Sequence, residues 1–309
     1  MEVVAPGDAR APSGAAVTIG AYDGVHLGHR RLLALLRERA SALGVPAAVV
    51  TFDRHPATVI RPGSAPLLLT DLDQKLALLA ERGVDATVVV DFDRARADES
   101  AEDFVTEVLV RSLSARLVVV GEDFHFGHGR KGDVALLTEL GRIHGFEVEG
   151  VRLTHDGGEP VSSTRIRRLV AEGRVDEAAA LLGRPHQVRG TVVRGEGRGR
   201  PVLGFPTANV AVPPGIAVPG VGIYAGRYHR PDGSVRSSAV SVGRRPTFYE
   251  EPQPPLVEAY LLDFEGDLYG EPAAVDFVEK LRDEVRYDRV QDLVAQMHRD
   301  VARTRDLLG

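Results

Sequence analysis

The chain has 309 residues, 43% hydrophobic and 27% charged, with a formal net charge of -6. Cysteine is absent, which excludes disulfides, thiolate metal sites and a cysteine nucleophile, and no apolar run approaches the roughly 20 residues that span a bilayer. The length suggests two domains at roughly 150 residues each, and the acidic balance argues against a general nucleic-acid binder.

The opening MEVVAPGDARAPSG has no apolar core, so no secretory leader is expected. The lack of cysteine fits a cytoplasmic protein. Residues 15–19 then read as a short buried strand. Residues 30–43 place Leu32, Leu33, Leu35, Leu36 and Leu43 at helical spacing. Strands are expected at 46–52, 86–92 and 117–121, and helices at 72–81, 101–113 and 134–144. Such βα alternation predicts a parallel sheet covered by helices on both faces, with ligands at the carboxyl ends of the strands.

Two short helices are expected at 164–172 and 175–182, after which Arg184-Pro185 breaks the chain. Strand-like runs follow at 187–193, 223–228, 238–242, 256–264 and 274–277, separated by Gly and Pro. They predict a small antiparallel barrel. Residues 289–308 close the chain as a helix with Val290, Leu293, Val294, Met297, Val301 and Leu307 on one face. The expected domains are therefore 1–183 and 184–309. The acidic excess lies in the first, because acids and bases balance in the second.

Four segments carry chemistry. GAYDGVHLGH at residues 20–29 joins a strand to a helix, where free backbone N–H groups and the helix dipole favour an anion. Gly20, Gly24 and Gly28 allow close approach of a phosphate. His26 and His29, three apart, can face one ligand and stabilise charge on a nucleotide α-phosphate. VSSTRIR at residues 161–167 brings Ser162, Ser163 and Thr164 before Arg165 and Arg167, a set that caps a helix or binds phosphate oxygens. GEDFHFG at residues 121–127 and TFDRHP at 51–56 follow strands and read as weak ligand loops by themselves.

In the second half, a Gly/Arg loop at residues 194–200 precedes LGFPTAN at 203–209. Thr207 and Asn209 offer hard oxygens suited to Mg2+. Glu258 is expected on one strand face with Leu256, Tyr260 and Leu262. A carboxylate there can take a hydroxyl proton, and a water-facing edge glutamate is the plain alternative.

GAYDGVHLGH, GEDFHFG and VSSTRIR, in this order, resemble the adenylyltransferase module of prokaryotic bifunctional riboflavin kinase/FAD synthetases. GRPVLGFPTAN, GIYAG, SVGRRPTF, VEAYLLDFEGDLYG and the Leu281-Arg282 pair resemble the riboflavin kinase module. The resemblance implies an α/β Rossmann-like nucleotidylyltransferase domain followed by a six-stranded antiparallel β-barrel with a C-terminal helix. It implies that the barrel makes FMN from riboflavin and ATP, and that the first module joins AMP to FMN, giving FAD and pyrophosphate. His26, His29, Gly20, Gly28 and the Ser162, Ser163, Thr164, Arg165 and Arg167 group would meet ATP phosphates. Asp123, Phe124 and Phe126 would lie around nucleotide and flavin. Gly204, Thr207 and Asn209 would hold ATP and Mg2+, Glu258 would be the base, and Arg282 would lie on a mobile loop near flavin. Tyr22 stands where the family usually has Phe, and Arg54 where it often has Pro.

The expected partners are thus small molecules, riboflavin, FMN, FAD and ATP, with no nucleic acid and no membrane. Weak self-association is compatible with the sequence. Two rivals are disfavoured: a nucleotidylyltransferase for another acceptor, which would leave the PTAN module without a role, and a flavin-binding regulator without catalysis, which the retention of His26, His29, Thr207, Asn209 and Glu258 argues against.

Overall fold

Continuous apolar runs bounded by turns need burial on both faces, and a parallel sheet between helix layers provides it. The computed structural model describes residues 1–4, 14–194, 206–243 and 255–309. It divides into two compact units, Met1–Ser163 and Thr164–Gly309.

The first unit holds six parallel strands: β1 (Glu2–Val4), β2 (Ala15–Ile19), β3 (Ala47–Phe52), β4 (Ala86–Val90), β5 (Ala115–Gly121) and β6 (Glu147–Val151). Their order is β1-β4-β3-β2-β5-β6. One sheet face packs Ala15, Val17 and Ile19 of β2 against Phe104, Val105, Leu109 and Leu137. The other packs α1 (Leu27–Leu43) through Leu36 and Ala40 and, beyond the one-turn helix α2 (Ala57–Ile60), α3 (Leu72–Glu81) through Leu78 and Leu79.

Three elements differ from the expectations. Residues 105–112 form a π-helix continuing the short helix Ala101–Phe104. Ser112 Oγ accordingly donates to Glu107 O five residues back, at 2.9 Å. The apolar spacing alone does not separate this from an α-helix. Strands β1 and β6 lie at the two sheet edges. Being short, partly exposed and charged, they carry no buried-strand signature.

The second unit contains a closed antiparallel barrel. Its strands are β9 (His186–Val193), β10 (Ala208–Ala211), β11 (Gly222–His229), β12 (Val235–Gly243), β13 (Leu256–Leu261) and β14 (Pro272–Arg282), where β7 and β8 are the two-residue hairpin His155–Asp156 and Glu159–Pro160 of the first unit. Around the barrel the order is β10-β13-β12-β11-β14-β9. Alternate residues fill it: Val188, Val210, Tyr224, Tyr228, Val240, Val257, Ala259 and Phe277 are buried in one cluster. Val175, on the helix Val175–Leu182 before the barrel, belongs to the same cluster. The chain closes with the helix Val290–Leu308.

Candidate active sites

In the first unit the chain runs from β2 to β3 and β4 on one side and returns to β5 and β6 on the other. Neighbours β2 and β5 therefore flank the point where strand order reverses, and ligands of such sheets bind outside the carboxyl ends there. The topology brings two sequence-expected segments to this point: the turn at residues 20–26 after β2, and residues 121–127 after β5. The TFDRHP segment follows β3, on the other side of β2.

The turn is strained. Tyr22 has φ 50° and Val25 φ 39°, both left-handed, and Val25 is β-branched. Each such residue costs on the order of 1–3 kcal/mol and persists only where its surroundings hold it. Here they do. The Asp23 carboxylate accepts from the N–H groups of Leu69 at 2.9 Å and Thr70 at 3.1 Å. Gly24 N–H donates to Thr70 Oγ1 at 3.1 Å, and Ser163 Oγ donates to Asp23 O at 2.9 Å. Tyr22 and Val25 are buried against Leu33, Leu78 and Leu79.

His26 ends the turn as the N-cap of α1, its Nδ1 accepting from His29 N–H at 3.3 Å. Helix α1 therefore starts at Leu27, earlier than the apolar spacing implied, because histidine is not among the usual capping residues. The His26 and His29 rings stack at 3.6 Å and 16°. Two cations are disfavoured at that distance, so the pair is not two charged donors side by side. Burial, His26 and the Lys75 ammonium all push the His29 imidazolium well below its usual range. His29 is held neutral at pH 7, its buried Nδ1 without a hydrogen-bond partner among the described residues, and a neutral imidazole keeps one ring N–H to donate to a ligand.

This has a consequence for stability. The unfolded chain takes up a proton at His29 below pH 6.5 and the folded chain does not. Stability at this site is therefore complete above pH 6.5 and is lost as pH falls below it. We expect calorimetric melting temperatures between pH 7.5 and 5.5 to fall less for His29→Asn than for the wild type. Parallel curves would show that His29 does not titrate between the states.

Gly20 and Gly28 both have packing reasons to be glycine. A Cβ at Gly20 would lie 3.1 Å from the Tyr22 ring, and one at Gly28 would lie 3.1 Å from His26 Cε1. After β5, Phe126 is buried in the core and stacks on Phe124 at 5.3 Å. Phe124 is half-buried and Asp123 exposed. Phe126 thus supports Phe124 from the core. Ser162 and Ser163 lie in the first unit, whereas Thr164, Arg165 and Arg167 lie in the second.

Sequence reading missed Lys75. It is buried, and its Nζ donates to Phe52 O at 2.7 Å, Thr51 Oγ1 at 3.2 Å and Ala21 O at 3.3 Å. Burial pushes its pKa down to about 8. It lines a small pocket with Asp23, Asp53, Arg54 and His55. The available signal was a lysine three and four residues before Leu78 and Leu79, on the apolar face of α3.

In the barrel, cross-strand register unites two expected groups. Asn209 of β10 pairs directly with Glu258 of β13, and Ser241 of β12 flanks Glu258 on the other side. Directly opposed residues share a face. The core face of β13 is Val257, Ala259 and Leu261, so Glu258 and Tyr260 lie on the outer face, half-buried. Strand β13 ends at Leu261, and Leu262 is not part of its alternation. Asn209 is 7% exposed, and Thr207 immediately precedes β10, half-buried. Gly204, the loop at 195–200 and the motif at 244–248 lie outside the described residues.

Arg282 is the last residue of β14, a strand rather than a loop position. Its guanidinium donates to the Asp300 carboxylate at 2.8 and 3.1 Å, reaching the C-terminal helix. Strand β14 neighbours β11 and β9, so the register does not bring Arg282 beside Glu258.

Known proteins align with this arrangement. The FAD synthetase family matches residues 8–165 and the riboflavin kinase family residues 182–308. The bifunctional riboflavin kinase/FMN adenylyltransferase of Escherichia coli K12 is 38% identical over 296 residues, covering 96% of this chain and 93% of its own. That of Pseudomonas fluorescens is 40% identical over 294 residues, covering 95% and 93%. A solved Streptococcus pneumoniae chain described as a macrolide-efflux protein superposes with TM-score 0.89 at 30% identity, covering 99% of each chain. No helix among the described residues is long and apolar enough to cross a membrane. With both domains matched in order and relatives aligned over nearly the whole chain, this protein belongs to the family of bifunctional riboflavin kinase/FMN adenylyltransferases.

Proposed function

We propose that the chain makes FAD from riboflavin in two ATP-dependent steps. Its second module transfers the γ-phosphoryl of ATP to riboflavin, giving FMN and ADP. Its first module transfers AMP from ATP to FMN, giving FAD and pyrophosphate. The observation that carries the residue assignment is the direct pairing of Asn209 with Glu258, which sets a carboxylate beside a buried amide on one face.

In the kinase step Glu258 takes the proton of the ribityl hydroxyl as its oxygen attacks the γ-phosphorus, and ADP leaves. Thr207 and Asn209 present neutral, hard oxygens. Two neutral oxygens leave an ion most of its charge and coordination sites, so this donor set suits an ion that also shares nucleotide phosphates. Bound by Thr207 and Asn209, Mg2+ would neutralise charge on those phosphates. Gly204 and the Gly/Arg loop would cover them, and Arg282 would serve the flavin once it releases Asp300.

In the adenylylation step the nucleophile is an FMN phosphate oxygen, already ionised at neutral pH, so no base is required. A new bond forms to the α-phosphorus and the bond to the β-phosphate oxygen breaks. Neutral His29 donates to an α-phosphate oxygen, where charge builds in the transition state. His26 orients the start of α1. Gly20, Gly28, Ser162, Ser163, Thr164, Arg165 and Arg167 serve the phosphates, and Asp123 and Phe124, backed by Phe126, serve the flavin side. Each proposed role is filled from one chain, weak self-association being compatible with it, and the absence of cysteine supports a cytoplasmic setting.

We assign the two activities to residues 1–183 and 184–309. The fragment that tests this starts at 164, because Val175 is buried in the barrel cluster and a cut at 184 would remove it. A 164–309 fragment is expected to convert riboflavin to FMN with MgATP and to form no FAD. Separation of the flavins reads the result. A folded fragment without kinase activity overturns the assignment.

A further inference from the structure

Lys75 is a buried ammonium that neither step above uses. Burying a charge is costly unless its hydrogen bonds are made, and a lysine has three to place. Here all three are placed, on Phe52 O, Thr51 Oγ1 and Ala21 O. The first two acceptors end β3, whereas Ala21 opens the strained turn after β2. Thr51 Oγ1 itself donates to Ala21 O at 3.2 Å. One cation therefore ties the carboxyl end of β3 to the turn that leads to His26 and His29.

Helix α3 grips the same turn a second time. Leu69 and Thr70, which bind the Asp23 carboxylate, lead directly into its N-cap, Asp71. Lys75 follows one helical turn later. Tyr22 lies between these two attachments and Val25 directly follows the second, the two left-handed residues that would relax if the turn were released.

We infer that Lys75 is a positioning residue for FMN adenylylation, its ammonium locking the turn between β2 and α1 in the strained form that presents His29. The inference rests on reading the first module as the adenylyltransferase. With its three hydrogens engaged in the protein, Lys75 acts through the turn rather than on the nucleotide. The charged and titratable groups that act on the pair are His26 beside His29, and Asp23 and Asp53 near Lys75.

Lys75→Met, in the full-length protein, keeps an apolar stem and removes the ammonium. A displacement of about 1 Å at reacting groups costs on the order of a hundredfold, so kcat for adenylylation should fall by roughly thirtyfold to several hundredfold. KM for ATP and FMN should stay within about threefold, because the lost group does not bind substrate. Riboflavin phosphorylation by the same preparation should be unchanged. The His29 ring resonances should titrate at higher pH once the neighbouring cation is gone. An adenylylation kcat within about threefold of wild type overturns the inference, and so does a loss confined to KM for ATP. If Lys75→Met does not fold, Thr51→Val decides. It removes one leg of the tie at similar volume, and we expect a fall in kcat of about fivefold; an unchanged rate overturns the inference. A wild-type protein that makes FMN but no FAD fails one step earlier, and overturns the adenylyltransferase reading itself.

Discussion

Glu258→Gln should lower riboflavin phosphorylation by roughly a hundredfold to ten-thousandfold, the range for removal of a general base. The ribityl hydroxyl is a poor nucleophile, and glutamine keeps shape and hydrogen bonding while losing the basic oxygen. The structure sharpens this expectation. Glu258 lies on the outer face of the barrel wall opposite Asn209 and Ser241, so the substitution leaves the Val257, Ala259 and Leu261 core face untouched. Affinity for riboflavin and ATP should change little, because the interaction belongs to the transition state. Adenylylation of supplied FMN should persist. Both rates measured on one purified variant give the test. A kinase loss of less than about threefold makes Glu258 a bystander. Asp263 is then a poor substitute base, since it is exposed and held by Arg305 at 2.6 and 2.9 Å. Transfer assisted by the substrate's own phosphate would be the better account.

His29→Ala should remove FAD formation and spare FMN formation. A neutral imidazole that donates to charge present only in the transition state acts mainly on kcat, and its loss costs on the order of a hundredfold or more. Alanine also leaves a space beside the Tyr22 ring, 4.9 Å away, and the stacked His26 ring. His29→Asn, which fills part of that space, separates the two effects. Steady-state kinetics with FMN and MgATP should show kcat depressed in both variants with similar KM values. FAD synthesis at the wild-type rate in both would leave His29 only a packing role beside Tyr22 and His26. The clamp on the turn predicts a further ordering: changes at Lys75 should cost no more than loss of His29, because they displace the donor without removing it.

Much of the architecture was legible because burial leaves a period in the sequence. The runs at 15–19, 72–81 and 134–144 coincide with observed elements residue for residue. What escaped has a common physical cause. Strands β1 and β6 sit at sheet edges, half in water, so they need no apolar pattern. The π-helix at 105–112 differs from an α-helix in hydrogen-bond register, and side-chain spacing over eight residues does not resolve that difference. The start of α1 was hidden because His26 caps it with a ring nitrogen in place of a hydroxyl or carboxylate.

The sites divide along the same line. The residues proposed to carry chemistry came from local motifs, because His26 and His29, Thr207 and Asn209, and Glu258 are reactive or metal-binding residue types set close together in sequence. What faces what was not readable, because it depends on strands far apart in sequence. Only the barrel register sets Asn209 against Glu258, 49 positions later, and only its alternation puts that glutamate outside the core. Only the fold directs Arg282 to Asp300, and stacks two histidines so that one of them stays neutral. Lys75 marks the boundary most clearly. By itself it is a lysine on the apolar face of a helix. Its meaning comes from three acceptors on two other segments, converging at the carboxyl ends of adjacent strands, where burial makes every unpaired hydrogen costly.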